Sequence, residues 1–250
     1  MPPSLDSPSN VLILGASGMI APTMIPGLES SYQLRLADLS PHPDGKEIVP
    51  VDITCYDQVL AACMGMDAVI NFTVNRGDPV FSWKVNLNGA HNVMKAAAEC
   101  GIEKVIHTGP QQVWSEYIHD FDVEDPPLRP GTSLYMLTKH AAIDLCRIHA
   151  RESRIHTLFM LFNSIAPTPE APLVADDFHP FSVTLDDLEH ALRLALELDE
   201  VPDYFQTLNM LSYRGKGKYG GEKAKRILGF EPQEKVERYY RRDPGGATVS

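Results

Sequence analysis

Two groups of residues in this chain have the types and spacing to do chemistry. The first is Tyr135-Met136-Leu137-Thr138-Lys139, in which a phenol and an amine stand four apart and so share one face of a helix. A phenol is a poor base at neutral pH, because its reference pKa is about 10. A neighbouring ammonium favours the phenolate, so the pair predicts that Tyr135 exchanges a proton with a substrate alcohol while Lys139 stabilises its charge. The second group is Gly15-Ala16-Ser17-Gly18-Met19-Ile20-Ala21, followed about twenty residues on by Asp38. Gly15 permits a sharp exit from a strand. Gly18 lets an anion approach the backbone where a helix begins, and Ser17, Met19 and Ile20 line the same turn. Asp38 is placed to accept hydrogen bonds from ribose hydroxyls, and its charge repels a 2′-phosphate. The combination predicts a dinucleotide site that takes NAD rather than NADP, with Lys139 also holding the nicotinamide ribose.

These groups need a scaffold that brings the ends of several strands together. Short apolar runs predict strands near 10–14, 32–37, 47–51, 68–72, 103–108 and 154–161. Between them, helical patterns are predicted near 18–28, 55–64, 79–100 and 131–151. Strands alternating with helices imply a Rossmann-type α/β fold, a doubly wound parallel sheet. After the proline-rich stretch 166–172 the pattern changes, with helices predicted near 185–198 and 219–228 and a strand near 205–211. The chain is therefore divided into a dinucleotide-binding core, 1–162, and a small substrate-covering portion, 163–250, interleaved with it. Asp186-Asp187 is expected to cap the helix that begins there.

Composition narrows the class. The net charge of −11 argues against general nucleic-acid binding, although ten of the 22 Lys and Arg residues crowd into 214–242. The run from Met1 does not read as a signal peptide, and no apolar run is long enough for a membrane span. Cys55, Cys63, Cys100 and Cys146 stand far apart, which reads as reduced thiols in a cytoplasmic protein. The nine histidines show no metal-ligand spacing, so no metal is expected. His107, beside the predicted end of a strand, is the histidine closest to the chemistry.

With these residues in hand, the chain resembles the extended short-chain dehydrogenases/reductases, the NAD-dependent epimerase/dehydratase family. The resemblance rests on the glycine turn, Asp38 and Tyr135-x-x-x-Lys139, and further on Val51-Asp52-Ile53, Asn71-Phe72-Thr73-Val74, Val85-Asn86-Leu87-Asn88-Gly89, Leu161-Phe162-Asn163 and Leu228-Gly229-Phe230-Glu231-Pro232. It implies that Asp52 and Ile53 meet the adenine, that Asn71, Phe72 and Thr73 pass under the cofactor, and that Asn86 is a structural asparagine beside it. It also implies a homodimer through the helices at 79–100 and 131–151, and it places Gln111, Gln112 and Ser164 against the substrate. In length and in the wording Leu34-Arg35-Leu36-Ala37-Asp38-Leu39-Ser40-Pro41 the chain is similar to uronate dehydrogenases, which oxidise a sugar acid at its anomeric carbon.

The departures matter as much. The family carries a serine and a second hydroxyl residue after the fifth strand, where this chain has Gly109-Pro110. Thr108 supplies a hydroxyl one position early, and Gln111 supplies an amide donor. Both are catalytic candidates, with Gln111 favoured for its reach. Uronate dehydrogenases grip the carboxylate with an arginine in a loop where 166–178 here holds neither Lys nor Arg. The expected function is NAD-dependent oxidation or reduction of a small polyhydroxylated, sugar or sugar-acid-like substrate. Two alternatives stay open. One is a non-catalytic NAD-binding sensor or scaffold, to which the missing serine points and against which the retained Tyr135 and Lys139 argue. The other is a nucleotide-sugar epimerase or dehydratase, against which the short C-terminal portion argues.

Overall fold

The computed structural model describes residues 8–111, 120, 123–125, 129–168, 181–214, 219–234 and 236. In chain order the first half runs β1 (Asn10–Leu14), α1 (Ala21–Glu29), β2 (Gln33–Asp38), β3 (Val49–Pro50), α2 (Tyr56–Cys63), β4 (Ala68–Asn71), α3 (Pro79–Ser82), α4 (Gly89–Cys100) and β5 (Lys104–Pro110). The second half runs α5 (Leu134–Ser153), β6 (His156–Phe162), β7 (Ser164–Ala166), β8 (Ser182–Thr184), α6 (Leu185–Glu197), β9 (Phe205–Asn209) and α7 (Glu222–Leu228). Seven strands form one sheet in the order β3-β2-β1-β4-β5-β6-β9, every pairing parallel. The strand order reverses between β1 and β4. In such sheets that reversal opens a crevice at the carboxyl ends of the strands, where ligands bind. No described helix is long and apolar enough to cross a membrane.

Strand residues alternate between two helical layers, because successive side chains leave a strand on opposite faces. Leu12 and Leu14 pack with Val93, Met94 and Ile143 in one layer; Val11 and Ile13 pack with Met24, Ile25 and Leu192 in the other. These side chains are essentially inaccessible to water, and each such burial contributes roughly 1.5–3 kcal/mol. The central strands carry apolar residues on both faces and so show no polar alternation.

Three differences from the sequence expectation have physical reasons. The helix expected from residue 18 begins at Ala21, leaving Gly18, Met19 and Ile20 as an open turn; Pro22 favours this start because it sits in the first helical turn, where its missing N–H costs nothing. The helix expected over 79–100 is continuous but not uniform. α3 leads into a π-helical turn, Trp83–Asn88, before α4 begins, and that wider winding aims Asn86 inward. The cap of α6 is Thr184, whose Oγ1 accepts the Asp187 N–H at 3.1 Å, and not the Asp186-Asp187 pair. Asp187 is buried instead, and its carboxylate accepts from Ser212 Oγ at 2.5 Å and from the Gln233 N–H at 2.7 Å.

Candidate active site

The glycine turn is built from backbone hydrogen bonds. Gly15 has φ +80°, a conformation that disfavours a side chain, and a Cβ there would stand 3.0 Å from the Thr73 nitrogen. The turn after β1 therefore runs tight against the exit of β4. The N–H groups of Gly15 and Ala16 both donate to the Ala37 carbonyl, at 2.9 and 3.2 Å, and Gly18 N–H donates to the Gly15 carbonyl at 3.1 Å. Asp38, at the end of β2, ties down the rest: its carboxylate accepts from Ser17 N–H and Ser40 N–H, each at 3.0 Å, while Ser17 Oγ donates to the Ser40 carbonyl at 2.8 Å. α1 then starts without a side-chain cap, and Met19 beside it is 89% exposed. An uncapped helix start, an exposed glycine and a half-buried carboxylate at the next strand end fit the pyrophosphate and ribose of a dinucleotide.

The other expected cofactor residues are placed as follows. Asp52 is engaged locally, its Oδ1 accepting from Thr54 N–H and Thr54 Oγ1 at 2.8 Å each. Ile53 is buried, and its carbonyl accepts from Asn92 Nδ2 at 2.9 Å. Phe72 is buried, its N–H bonded to the Leu14 carbonyl at 2.9 Å. Asn86 is buried and acts as a double clamp. It accepts from Asn75 N–H at 3.0 Å, and its Nδ2 donates to the Asn75 carbonyl at 2.8 Å and to Thr138 Oγ1 at 2.9 Å. Thr138 Oγ1 in turn donates to the Tyr135 carbonyl at 3.0 Å.

Tyr135 and Lys139 sit in the first turns of α5. Lys139 is buried, and its Nζ donates to the carbonyls of Thr73 (3.3 Å) and Thr108 (3.1 Å), bridging the exits of β4 and β5. Burial pulls the Lys139 ammonium down to about 8; the Cys146 sulfur opposes that shift and Arg76 adds to it. The charge next to Tyr135 is Arg76, whose guanidinium lies over the ring, 5.0 Å from its centroid. Burial pushes the Tyr135 phenol up, and Arg76 pulls it back. Arg76 was not singled out from the sequence. The one available signal was a lone cation a few residues past a strand end.

At position 109, where the resemblance leads one to expect a serine, the surroundings leave little room for a side chain. A Cβ on Gly109 would stand 2.7 Å from Phe159 Cε1. Phe159 is fully buried, on the strand beside β5, and stacks on His107 with centroids 5.4 Å apart. The Phe159 ring fills the space that a side chain at 109 would need. Gly109 and Pro110 continue β5 without breaking it. Thr108 is buried, its Oγ1 donating to the Asn71 carbonyl at 3.3 Å. Gln111 is completely enclosed, and neither its Oε1 nor its Nε2 has a partner among the described residues. Ser164 is half-buried at the start of β7, which pairs with β8. Gln112 lies outside the described residues.

His107 belongs to the interior. Asn71 Oδ1 accepts from Thr73 N–H (3.0 Å) and Thr73 Oγ1 (2.7 Å), so its Nδ2 faces His107 Nδ1 at 3.2 Å. Since Nδ1 must accept there, the proton sits on Nε2, 3.5 Å from Cys146 Sγ. Burial, reinforced by Lys139, holds the imidazole down to about 3, and burial pushes the Cys146 thiol up to about 12. A neutral imidazole beside a neutral thiol, sealed from solvent, is an inert packing pair rather than a nucleophile and base.

The sheet order, glycine turn and Tyr135–Lys139 helix define a dinucleotide-binding Rossmann protein. The chain belongs to the NAD dependent epimerase/dehydratase family, whose model matches residues 11–180. It is of the extended short-chain dehydrogenase/reductase type, and its cofactor is NAD. No curated protein sequence matches it. Among solved structures it is similar to a mutated uronate dehydrogenase, at 22% identity and TM-score 0.77 over 92% of this chain and 83% of that one. It is also similar to glucuronic acid dehydrogenase from Chromohalobacter salexigens, at 20% identity and TM-score 0.78 over 97% and 91% of the two chains. A UDP-galactose 4-epimerase shares the fold at 16% identity and TM-score 0.74, over 92% and 95%.

Proposed function

We propose that the protein is an NAD-dependent oxidoreductase for a small polyhydroxylated, sugar or sugar-acid-like substrate, with Tyr135 as acid/base. The observation that carries the reading is convergence. Lys139 joins the exits of β4 and β5, Gly15 packs against the β4 exit, and Asp38 closes the same crevice from β2. One ligand lying along the strand ends would meet all of them. When bound, NAD supplies a hydride acceptor at its nicotinamide ring. The chain's own residues do the rest. Asp38 holds the adenosine ribose, the open start of α1 receives the pyrophosphate, Lys139 holds the nicotinamide ribose, and Tyr135 Oη takes the substrate proton. Gln111 stands in for the serine as the donor to the substrate oxygen. Its enclosed amide has no partner among the described residues, and pairing such a group recovers roughly 1–3 kcal/mol. The solved uronate and glucuronic acid dehydrogenases are relatives of matching fold, which favours a sugar acid as the first substrate to try.

The test is NADH formation from NAD+ across uronic acids, aldoses and polyols, with wild type and Tyr135→Phe. Turnover of one compound that falls about a hundredfold to ten-thousandfold in Tyr135→Phe, with NAD affinity retained, is expected. Equal rates in both proteins would refute the assignment. Tight NAD binding with no turnover of any compound would favour the sensor or scaffold reading, for which the aromatic packing at Gly109 is the specific support.

A further inference from the structure

We propose that Arg76 is the residue that selects the substrate by charge: its guanidinium binds a carboxylate on the molecule whose hydroxyl meets Tyr135, so the site takes a carboxylate-bearing polyol in preference to a neutral one. Its part in turnover rests on Tyr135 being the acid/base, as in the proposed function; its recognition of an anion does not.

The guanidinium lies over the Tyr135 ring, 5.0 Å from its centroid. A polyol that offers one hydroxyl to Tyr135 Oη therefore has a cation beside it, within the span of a sugar ring. The backbone that carries this cation is held in place. Asn86 holds Asn75 by its N–H and its carbonyl, and Ser82 Oγ donates to the Asn75 carbonyl at 3.2 Å. The same Asn86 amide donates to Thr138 Oγ1, which bonds the Tyr135 carbonyl. Asn86 itself stands in the π turn between α3 and α4, a local winding that recurs at functional sites. The residue before Arg76 and the backbone of Tyr135 are thus fixed to one frame, which preorganises the cation and the phenol toward each other.

The charge of Arg76 is available to a ligand. Arg147, Arg151 and Arg193 each pair with a carboxylate, from Asp144, Asp203 and Glu189. Among the described residues no carboxylate pairs with Arg76. The nearest in sequence, Asp78, accepts the Phe81 N–H at 2.8 Å as the cap of α3. Lys139, the other cation near Tyr135, is buried, with its ammonium on the carbonyls of Thr73 and Thr108, whereas Arg76 is exposed. A planar guanidinium gives a carboxylate two parallel N–H donors and a full charge, and it gives a hydroxyl neither advantage. The chain as a whole carries a net charge of −11, which repels anions, so a site that takes one needs a local cation of this kind.

The experiment reads binding apart from turnover. Glucuronate, galacturonate and their uncharged counterparts glucose and galactose are titrated calorimetrically into the protein saturated with NADH, a complex from which none of them can be oxidised. Wild type is expected to bind at least one of the acids about tenfold or more tighter than its neutral counterpart. Arg76→Gln is expected to weaken the acid about tenfold to a hundredfold while leaving the neutral sugar and NADH unchanged. Arg76→Lys is expected to fall between the two, because the charge stays and the paired donors are lost. The proposal is overturned if wild type binds neither acid, if it binds a neutral sugar as tightly as the acid, if Arg76→Gln binds the acid like wild type, or if Arg76→Gln loses NADH affinity by the same factor, which would assign the guanidinium to the cofactor. An acid that binds through Arg76 and is never oxidised by NAD+ refutes the proposed activity and leaves the recognition standing. Oxidation of a neutral sugar at a rate that Arg76→Gln does not change does the reverse.

Discussion

Acidification should unfold this protein through His107, and the size of the effect follows from its contacts. Backbone geometry fixes the chain of cause. The Thr73 N–H can only donate, so it fixes the Asn71 oxygen toward itself and the Asn71 amino group toward His107 Nδ1. Protonating Nδ1 would set a donor against a donor in a buried site, which adds to the cost of burying the charge. The folded imidazole therefore stays neutral down to about pH 3, while in the unfolded chain it takes a proton near 6.5. Between those values the unfolded state binds the extra proton, so stability falls as the pH falls. The slope approaches about 1.4 kcal/mol per pH unit, reaching about 3 kcal/mol by pH 4. Urea unfolding of wild type and His107→Gln from pH 6.5 to 4 measures it. Glutamine keeps an acceptor for Asn71 and does not titrate, and the carboxylates and other histidines are common to both proteins. The wild-type curve should be steeper by roughly that slope. Parallel curves would show that His107 is already charged, or already solvated, in the folded protein.

Other expectations follow from single contacts. Asp38→Ala should weaken NAD binding and erase the preference over NADP, read by titration with both cofactors; a wild type that binds NADP as tightly as NAD would contradict the role given to Asp38. Gly109→Ser should cost about 1–3 kcal/mol, because its Cβ meets the Phe159 ring, and Phe159→Leu should recover part of that loss in thermal unfolding. A Gly109→Ser protein as stable as wild type would refute the packing argument. Gln111→Ala should reduce turnover of an identified substrate more than Thr108→Val does, since the Thr108 hydroxyl is already bonded to Asn71; the reverse order would return the donor role to Thr108.

What was legible in the sequence was what the chain decides locally. Strand ends, the glycine turn and Asp38 lie within a few residues of the elements that place them, so spacing alone located them, and the strands came out within a residue or two of their predicted positions. The π turn in the 79–100 helix was not legible, because it inserts within a continuous helical run. The Thr184 cap was missed because two acidic residues in the first turn look like a cap, while the capping oxygen comes one residue before the helix. The deeper misses share one cause. Tyr135 and Lys139 are four apart on a helix, and that spacing specifies a shared face, not a shared partner. Lys139 found its acceptors just past β4 and on β5, and Arg76, on the segment after β4, lies over the Tyr135 ring. The glycine at position 109 likewise reads as a lost hydroxyl until β6 is laid beside β5 and Phe159 fills the space. Neither partner is visible before the strands are ordered. The ordering also links the two departures. Phe159 stacks on His107, His107 bonds Asn71, and Asn71 holds Thr73, whose carbonyl receives Lys139. The aromatic ring that fills the space beside Gly109 is therefore packed into the same network that receives the Lys139 ammonium, so a change at either end is felt at the other.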